Sequence, residues 1–190
     1  MLLAPIGVQT LVHPDGELAS ARAAAELGLP LITSTASATA MEEIAEANGS
    51  GPRWYQLYWT NDDELTASLV GRAERSGYSA IVVTVDNFMP GWKPRDLEQA
   101  YLPFLEGIGI AQYLSDPVFR GALEKPPEED MGAAVGHFIS VFSNATLTWD
   151  DLEWLRGRTS LPIVLKGILH PDDAHEARER GDDGVVVSNH

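Results

Sequence analysis

Residues 163–190 contain Ile163-Val164-Leu165-Lys166-Gly167, then a helical stretch opening at Pro171, then Val185-Val186-Val187-Ser188-Asn189-His190. Two short apolar runs flanking a helix, each ending in hydrogen-bonding or titratable groups, read as one parallel βα unit. Proline suits the first turn of that helix, where its missing N–H leaves no bond unmade. The unit recurs upstream. Strand-like runs are predicted at residues 2–5, 31–34, 54–58, 81–86, 163–166 and 185–188, with starts spaced by 29, 23, 27, 82 and 22 residues. Four of these gaps fit one unit of a (β/α)8 barrel, roughly 30 residues when about 250 are shared among eight.

The helices between are signalled locally. Residues 15–27 are alanine-rich and stop at Gly28, a favoured residue just past a helix end. Thr39-Ala40-Met41-Glu42 reads as a capping box. Asn61-Asp62-Asp63-Glu64 opens a helix that Ser76-Gly77 closes, and Thr148 starts another. The long gap holds an extra segment at about 88–145, rich in Pro, Gly and aromatics. Connections of that length are usually lids or linkers. It is expected to be a lid-like insertion on the active-site face, with Glu124-Lys125-Pro126-Pro127-Glu128-Glu129-Asp130 poorly ordered.

The expected fold is therefore an α/β chain of one domain, residues 1–190, forming an incomplete (β/α)8 TIM barrel. Strands one to six are present, and the lead-in and strands seven and eight are absent. A complete six-stranded open sheet is the competing architecture, but a doubly wound domain should also end in a covering helix.

Composition narrows the function classes. With 28 acidic and 13 basic residues, the net charge of −15 argues against a nucleic-acid footprint and against anionic membranes. No apolar run approaches the roughly 20 residues that span a bilayer, and Met1-Leu2-Leu3-Ala4-Pro5 lacks a charged signal-peptide lead. Zero cysteines remove disulfides, thiolate metal sites and thiol nucleophiles. A cytoplasmic protein without a metal site is expected.

In barrels, chemistry gathers at the carboxyl ends of the strands. The predicted strands end at Pro5-Ile6-Gly7, Ser34, Gln56-Leu57-Tyr58, Thr84-Val85-Asp86, Lys166-Gly167 and Ser188-Asn189-His190. Loops are polar anyway, which accounts for Ser34 and Gln56. It accounts less well for a lysine, an aspartate and a histidine, each following an apolar run. Tyr58 lies two positions after Gln56 and so faces the same side. His13, His137, His170 and His175 occupy turns, the insertion or helix faces and are read as structural.

Taken in order, Ala4-Pro5-Ile6-Gly7-Val8-Gln9, His13-Pro14-Asp15-Gly16-Glu17, Tyr55-Gln56-Leu57-Tyr58, Thr84-Val85-Asp86, Leu165-Lys166-Gly167-Ile168 and Ser188-Asn189-His190 resemble the FMN-dependent α-hydroxy-acid dehydrogenases. The resemblance covers essentially the whole chain. It implies FMN across the barrel mouth, with Pro5, Ile6 and Gly7 near the flavin N5. Ser34, Gln56, Thr84 and Ser188 would contact the cofactor, and Lys166 would sit by N1 and O2. His190 would be the catalytic base, Asp86 would orient it, and Tyr58 would contact the substrate. Gly91-Trp92-Lys93-Pro94-Arg95-Asp96 and the long insertion resemble the lactate 2-monooxygenase branch, as does glycine rather than alanine at position 7. That branch implies L-lactate and oxygen, with oxidative decarboxylation. A plain oxidase, a dehydrogenase or a non-catalytic remnant are the alternatives.

The family's substrate arginine falls on Lys93, which keeps the charge but loses the bidentate fork; Arg95 stands nearby in a shifted register. The pattern's Gly-Gly-Arg after Asn189-His190 and its upstream tyrosine are absent. The 190-residue chain alone is expected neither to hold FMN tightly nor to turn over. A homo-oligomer is expected at full length.

Overall fold

A computed structural model describes residues 1–87, 91 and 94–190. Its frame is a five-stranded parallel sheet of β1 (Leu31–Ser34), β2 (Arg53–Leu57), β3 (Ile81–Thr84), β4 (Ile163–Ile168) and β5 (Gly184–Val187), in sequential order. The helices are α1 (Gly16–Leu27), α2 (Met41–Asn48), α3 (Asp63–Arg75), α4 (Pro94–Gln99), α5 (Ala111–Leu114), α6 (Pro117–Gly121), α7 (Met131–Val141), α8 (Asp151–Arg156) and α9 (Pro171–Glu179).

Side-chain alternation along the strands separates two layers. Tyr55, Leu57, Ile81, Val83, Ile163 and Leu165 point outward into a core shared with the helices. Ile32, Val82 and Val164, with Trp54 and Val186 packed on them, form a separate inner cluster that contains no helical residue among the described ones. Sequential strand order with helices on one face is the arrangement of an incomplete (β/α)8 barrel, and it excludes the doubly wound alternative, which covers both faces.

The expected first strand, residues 2–5, is not one. Only Leu3 bridges, in parallel, to Leu31. Leu3 N–H donates to the Pro30 carbonyl at 2.8 Å and its own carbonyl accepts from Ile32 N–H at 3.0 Å. Pro5, two residues on, has no N–H to continue the ladder. The segment thus holds the first-strand position beside β1 by a single residue.

The capping box at Thr39 does not form either. Ala40 is the N-cap of α2 and no side chain of its own caps it. Gln112 Oε1, from the insertion, accepts the Met41 N–H at 2.9 Å, while Thr39 Oγ1 donates to Glu17 Oε2 at 3.3 Å. The cap is supplied by tertiary contact. Gly28 closes α1 in the left-handed region, Asp62 caps α3 through Leu65 N–H, and Pro171 opens α9, all as expected, whereas the helix expected from Thr148 begins at Asp151.

The insertion packs on the carboxyl side of the sheet. Ala111 N–H donates to the Ser37 carbonyl at 3.1 Å, Asn61 N–H to that of Val141 at 3.0 Å, and Asn144 Nδ2 to that of Thr60 at 3.1 Å. Ile110, Tyr113, Phe119, Phe138 and Val141 join the main core. From Ile110 onward the insertion is therefore part of the core rather than a detachable cover. Residues 124–130, expected to be poorly ordered, form turns in which Arg120 grips Glu128 through two 2.9 Å bonds and Asp130 caps α7.

Candidate active site

The inner face changes character along each strand. Behind the apolar layer of Ile32, Trp54, Val82 and Val164 come Ser34, Gln56, Thr84 and Lys166, two residues further along their strands. Period-two alternation puts each polar residue on the same face as the apolar one before it. Ser34 is paired in register with Gln56, and Thr84 with Lys166.

Ser34 Oγ donates to Gln56 Oε1 at 3.1 Å, and Gln56 Nε2 donates to Thr84 Oγ1 at 2.9 Å. All three are buried. Thr35 strengthens the row: its N–H donates to Gln56 Oε1 at 3.2 Å, and its Oγ1 accepts from Tyr58 N–H at 3.0 Å. Gln56 is thereby fixed with its oxygen toward β1 and its nitrogen toward β3. Sequence reasoning missed Thr35, because one hydroxyl in Thr33-Ser34-Thr35 looks like another.

Lys166 is only 9% exposed, unlike an ordinary surface lysine. Among the described residues its ammonium makes no hydrogen bond or ion pair. A largely buried lysine whose cation has no protein partner among the described residues is suited to an anionic ligand.

The third group joins three chain-distant residues. His190 Nδ1 lies 2.9 Å from Asp86 Oδ1, and its Nε2 lies 3.4 Å from the Tyr58 hydroxyl. An ionised carboxylate only accepts, so the nitrogen facing it carries a proton, and in a neutral imidazole of that tautomer Nε2 presents its lone pair. Ser188 Oγ accepts the His190 N–H at 3.0 Å, steadying a residue at φ 67°. Asp86 Oδ2 is buried without a partner among the described residues. The Tyr58 ring stacks on that of His190 and rests edge-on against Phe142 with centroids 5.5 Å apart, so the end of the insertion sets its position. Burial pushes the Tyr58 phenol above its ordinary range, with a hydrogen bond to Asn87 pulling the other way. It is held as a neutral donor.

Pro5, Ile6 and Gly7 form the loop between Leu3 and a 3-10 turn at Gln9–Leu11. A methyl on Gly7 would stand 3.0 Å from the Ala36 carbonyl oxygen and 3.7 Å from Ser34 Oγ, so the loop abuts the Ser34 tip. Val8 follows at φ 51°, uncommon for a β-branched residue, with its N–H on the Ala36 carbonyl at 2.9 Å. Arg95 stands exposed on α4. Lys93 lies outside the described residues. A cleft of about 430 Å³ opens between the ends of β3 and β4 and the start of α8, but its lining includes none of Tyr58, Asp86, Lys166 and His190. The chemistry is on the inner face of the sheet.

Parallel strands in barrel order, inner-face polar groups gathered at their carboxyl ends and a histidine beside a carboxylate are the features on which a barrel builds acid–base chemistry. Over residues 1–190 the chain matches the family described as FMN-dependent dehydrogenase, and it belongs to that family. It is 45% identical over 193 residues to an FMN-dependent alpha-hydroxy acid dehydrogenase of Penicillium citrinum and 43% identical over 190 residues to an L-lactate oxidase of Lysinibacillus sphaericus. Both matches cover 100% of this chain and 48% of the relative. The structure of a mandelate oxidase with (S)-4-hydroxymandelic acid superposes with a TM-score of 0.81 at 40% identity, over 100% of this chain and 51% of that one. The chain spans about half the length of the curated relatives it matches.

Proposed function

We propose that the protein oxidises a small 2-hydroxy acid with FMN as cofactor. The observation that carries this is the Asp86–His190–Tyr58 group on the same face as the Ser34–Gln56–Thr84 row and Lys166. The donor set fits FMN: a row of neutral hydrogen-bonding groups for a heteroaromatic edge, and one buried cation for the end that becomes negative on reduction. Pro5, Ile6, Gly7, Ser34, Gln56, Thr84, Lys166 and Ser188 would hold it. FMN, when bound, supplies the two-electron acceptor.

His190 Nε2 takes a proton from the substrate, and Asp86 keeps the opposite nitrogen protonated and offsets the imidazolium charge. Histidine suits this task because its unperturbed pKa lies near neutrality, and general-base catalysis is worth about 10²–10⁴-fold. Lys166 presents fixed positive charge where negative charge develops. The substrate carboxylate is assigned to Tyr58 together with the insertion cations Lys93 and Arg95.

At a finer level, the substrate is L-lactate with oxygen as acceptor and decarboxylation of the retained product, a reading supported by Gly7 and the Gly91–Asp96 sequence pattern. Retention of the 2-oxo acid is what separates decarboxylation from simple release. A plain oxidase is favoured by a separate observation: Gly7 has a packing reason of its own against Ala36. Product analysis on the intact protein decides. Acetate and carbon dioxide from lactate support decarboxylation, pyruvate with peroxide the oxidase, and failure of any 2-hydroxy acid to bleach the flavin anaerobically refutes both. His190→Gln is expected to lower the bleaching rate by at least about 10²-fold.

A further inference from the structure

We propose that Gly167 is a positioning residue for the Asp86–His190 pair: only a residue without a side chain leaves the Asp86 carboxylate the place from which it meets His190. The inference rests on the proton-transfer role proposed above for that pair.

Gly167 sits inside β4 where the register against β5 shifts between Lys166 and Ile168. Its φ of +112° lies in a region that side-chain-bearing residues rarely adopt. The space around it is as restrictive as its backbone. A Cβ built there would stand 2.6 Å from Asp86 Cγ, 2.7 Å from Asp86 Cβ and 2.9 Å from Asp86 Oδ2. These are not contacts with the far end of a flexible chain. Asp86 is short, and the Val85 N–H just before it is tied to the Lys166 carbonyl at 2.8 Å, so the β3 tip cannot back away from β4.

The carboxylate is thus wedged between the Gly167 backbone and the imidazole. One oxygen is 2.9 Å from His190 Nδ1, and the other is buried without a partner among the described residues. Restoring an ordinary carbon–carbon contact would move the carboxylate by about 1 Å. A shift of that size breaks a 2.9 Å hydrogen bond. Lys166 and Gly167 then serve one site from adjacent positions, one by its charge and the other by its lack of a side chain.

The test is Gly167→Ala in the intact, flavin-loaded protein, read by imidazole ¹⁵N NMR of His190 (assigned by its loss in His190→Gln) and by steady-state kinetics with lactate. The expected result is loss of the Nδ1–H tautomer pattern and a fall in kcat of about 10²-fold, with KM within about threefold. An unchanged tautomer with kcat within about threefold overturns the inference. Asp86→Asn is run alongside: if it leaves the His190 pattern untouched, the pair itself is refuted, a failure distinct from that of Gly167. Should Gly167→Ala not fold, it is combined with Asp86→Gly, which removes the atoms that the new methyl would meet. Recovery of a folded protein supports the inference. A double variant that stays unfolded while Asp86→Gly alone folds overturns it, because the glycine would then serve only the backbone.

Discussion

Lys166 shows how much a single residue can report. Its place after Ile163-Val164-Leu165 fixes which strand it occupies, and its low exposure sets it apart from a surface lysine. A hydrogen bond to a charged group is worth about 1.5–3 kcal/mol. Lys166→Met is therefore expected to weaken FMN binding by roughly 10–100-fold and to lower the flavin reduction potential. Flavin titration and equilibrium reduction against a reference dye measure both. A potential unchanged by the substitution would show that the ammonium does not face the reducing end. Gly167, its neighbour, carried a legible signal, since an isolated glycine within a strand marks a bulge or a close approach. The partner of that approach was not legible, because Asp86 is 81 positions away in the chain.

The elements are tied together at Arg72 of α3. Its guanidinium donates to both Glu42 oxygens at 2.9 Å, to Asp116 Oδ2 at 3.1 Å, to the Gln112 carbonyl at 2.7 Å and to Ser115 Oγ at 2.7 Å. Asp116 is fully buried and also caps α6 through Val118 and Phe119 N–H. One side chain thus joins α2, α3 and the insertion, and Gln112 carries the link on to Met41 and to the loop after β1. Removing one partner of a buried pair costs about 3–5 kcal/mol, because the other charge is left uncompensated. Arg72→Ala and Asp116→Ala are each expected to lower the melting temperature by on the order of 10 °C. Glu42→Gln, at a half-exposed partner, should shift it by far less. Equal losses for Glu42 and Asp116 would contradict this account. None of these partners is close in sequence, which is why the insertion read as a cover rather than as core.

For the molecule as a whole, the outer layer is sealed by tyrosines. Tyr55, Tyr78 and Tyr113 are buried, and burial pushes all three phenols up, Tyr78 to about 12 from an ordinary 10.0. Below pH 10 folded and unfolded chains both hold these protons, so stability is independent of them. Above it the unfolded chain releases protons that the folded one keeps, and stability falls as pH rises. Each such group contributes up to about 1.4 kcal/mol per pH unit. Urea midpoints are expected to be flat with respect to these groups up to about pH 9 and to fall steeply between about pH 10 and 12. Tyr55→Phe should make that fall shallower, since it removes one of the groups whose ionisation burial opposes in the folded chain. An equally steep fall in that variant would refute the assignment.

The sequence by itself determined the parallel βα repeat, five of the six expected strands to within two residues at each end, and the identity of the polar groups at their ends. Those features follow from periodicity and from residues that punctuate locally, such as Gly28, Asp62 and Pro171. It overstated residues 2–5, where Pro5 stops a ladder that the apolar run alone would continue, and it read a capping box that Gln112 replaces. Only the tertiary structure decided that Tyr58 meets the Asp86–His190 pair which the family resemblance implies, that Gln56 is turned by Thr35, and that Gly167 must yield its space to a carboxylate. The physical reason is common to all three. Strand alternation gives each side chain its face, but the register between distant strands and the contacts across them exist only once the sheet has curved and packed.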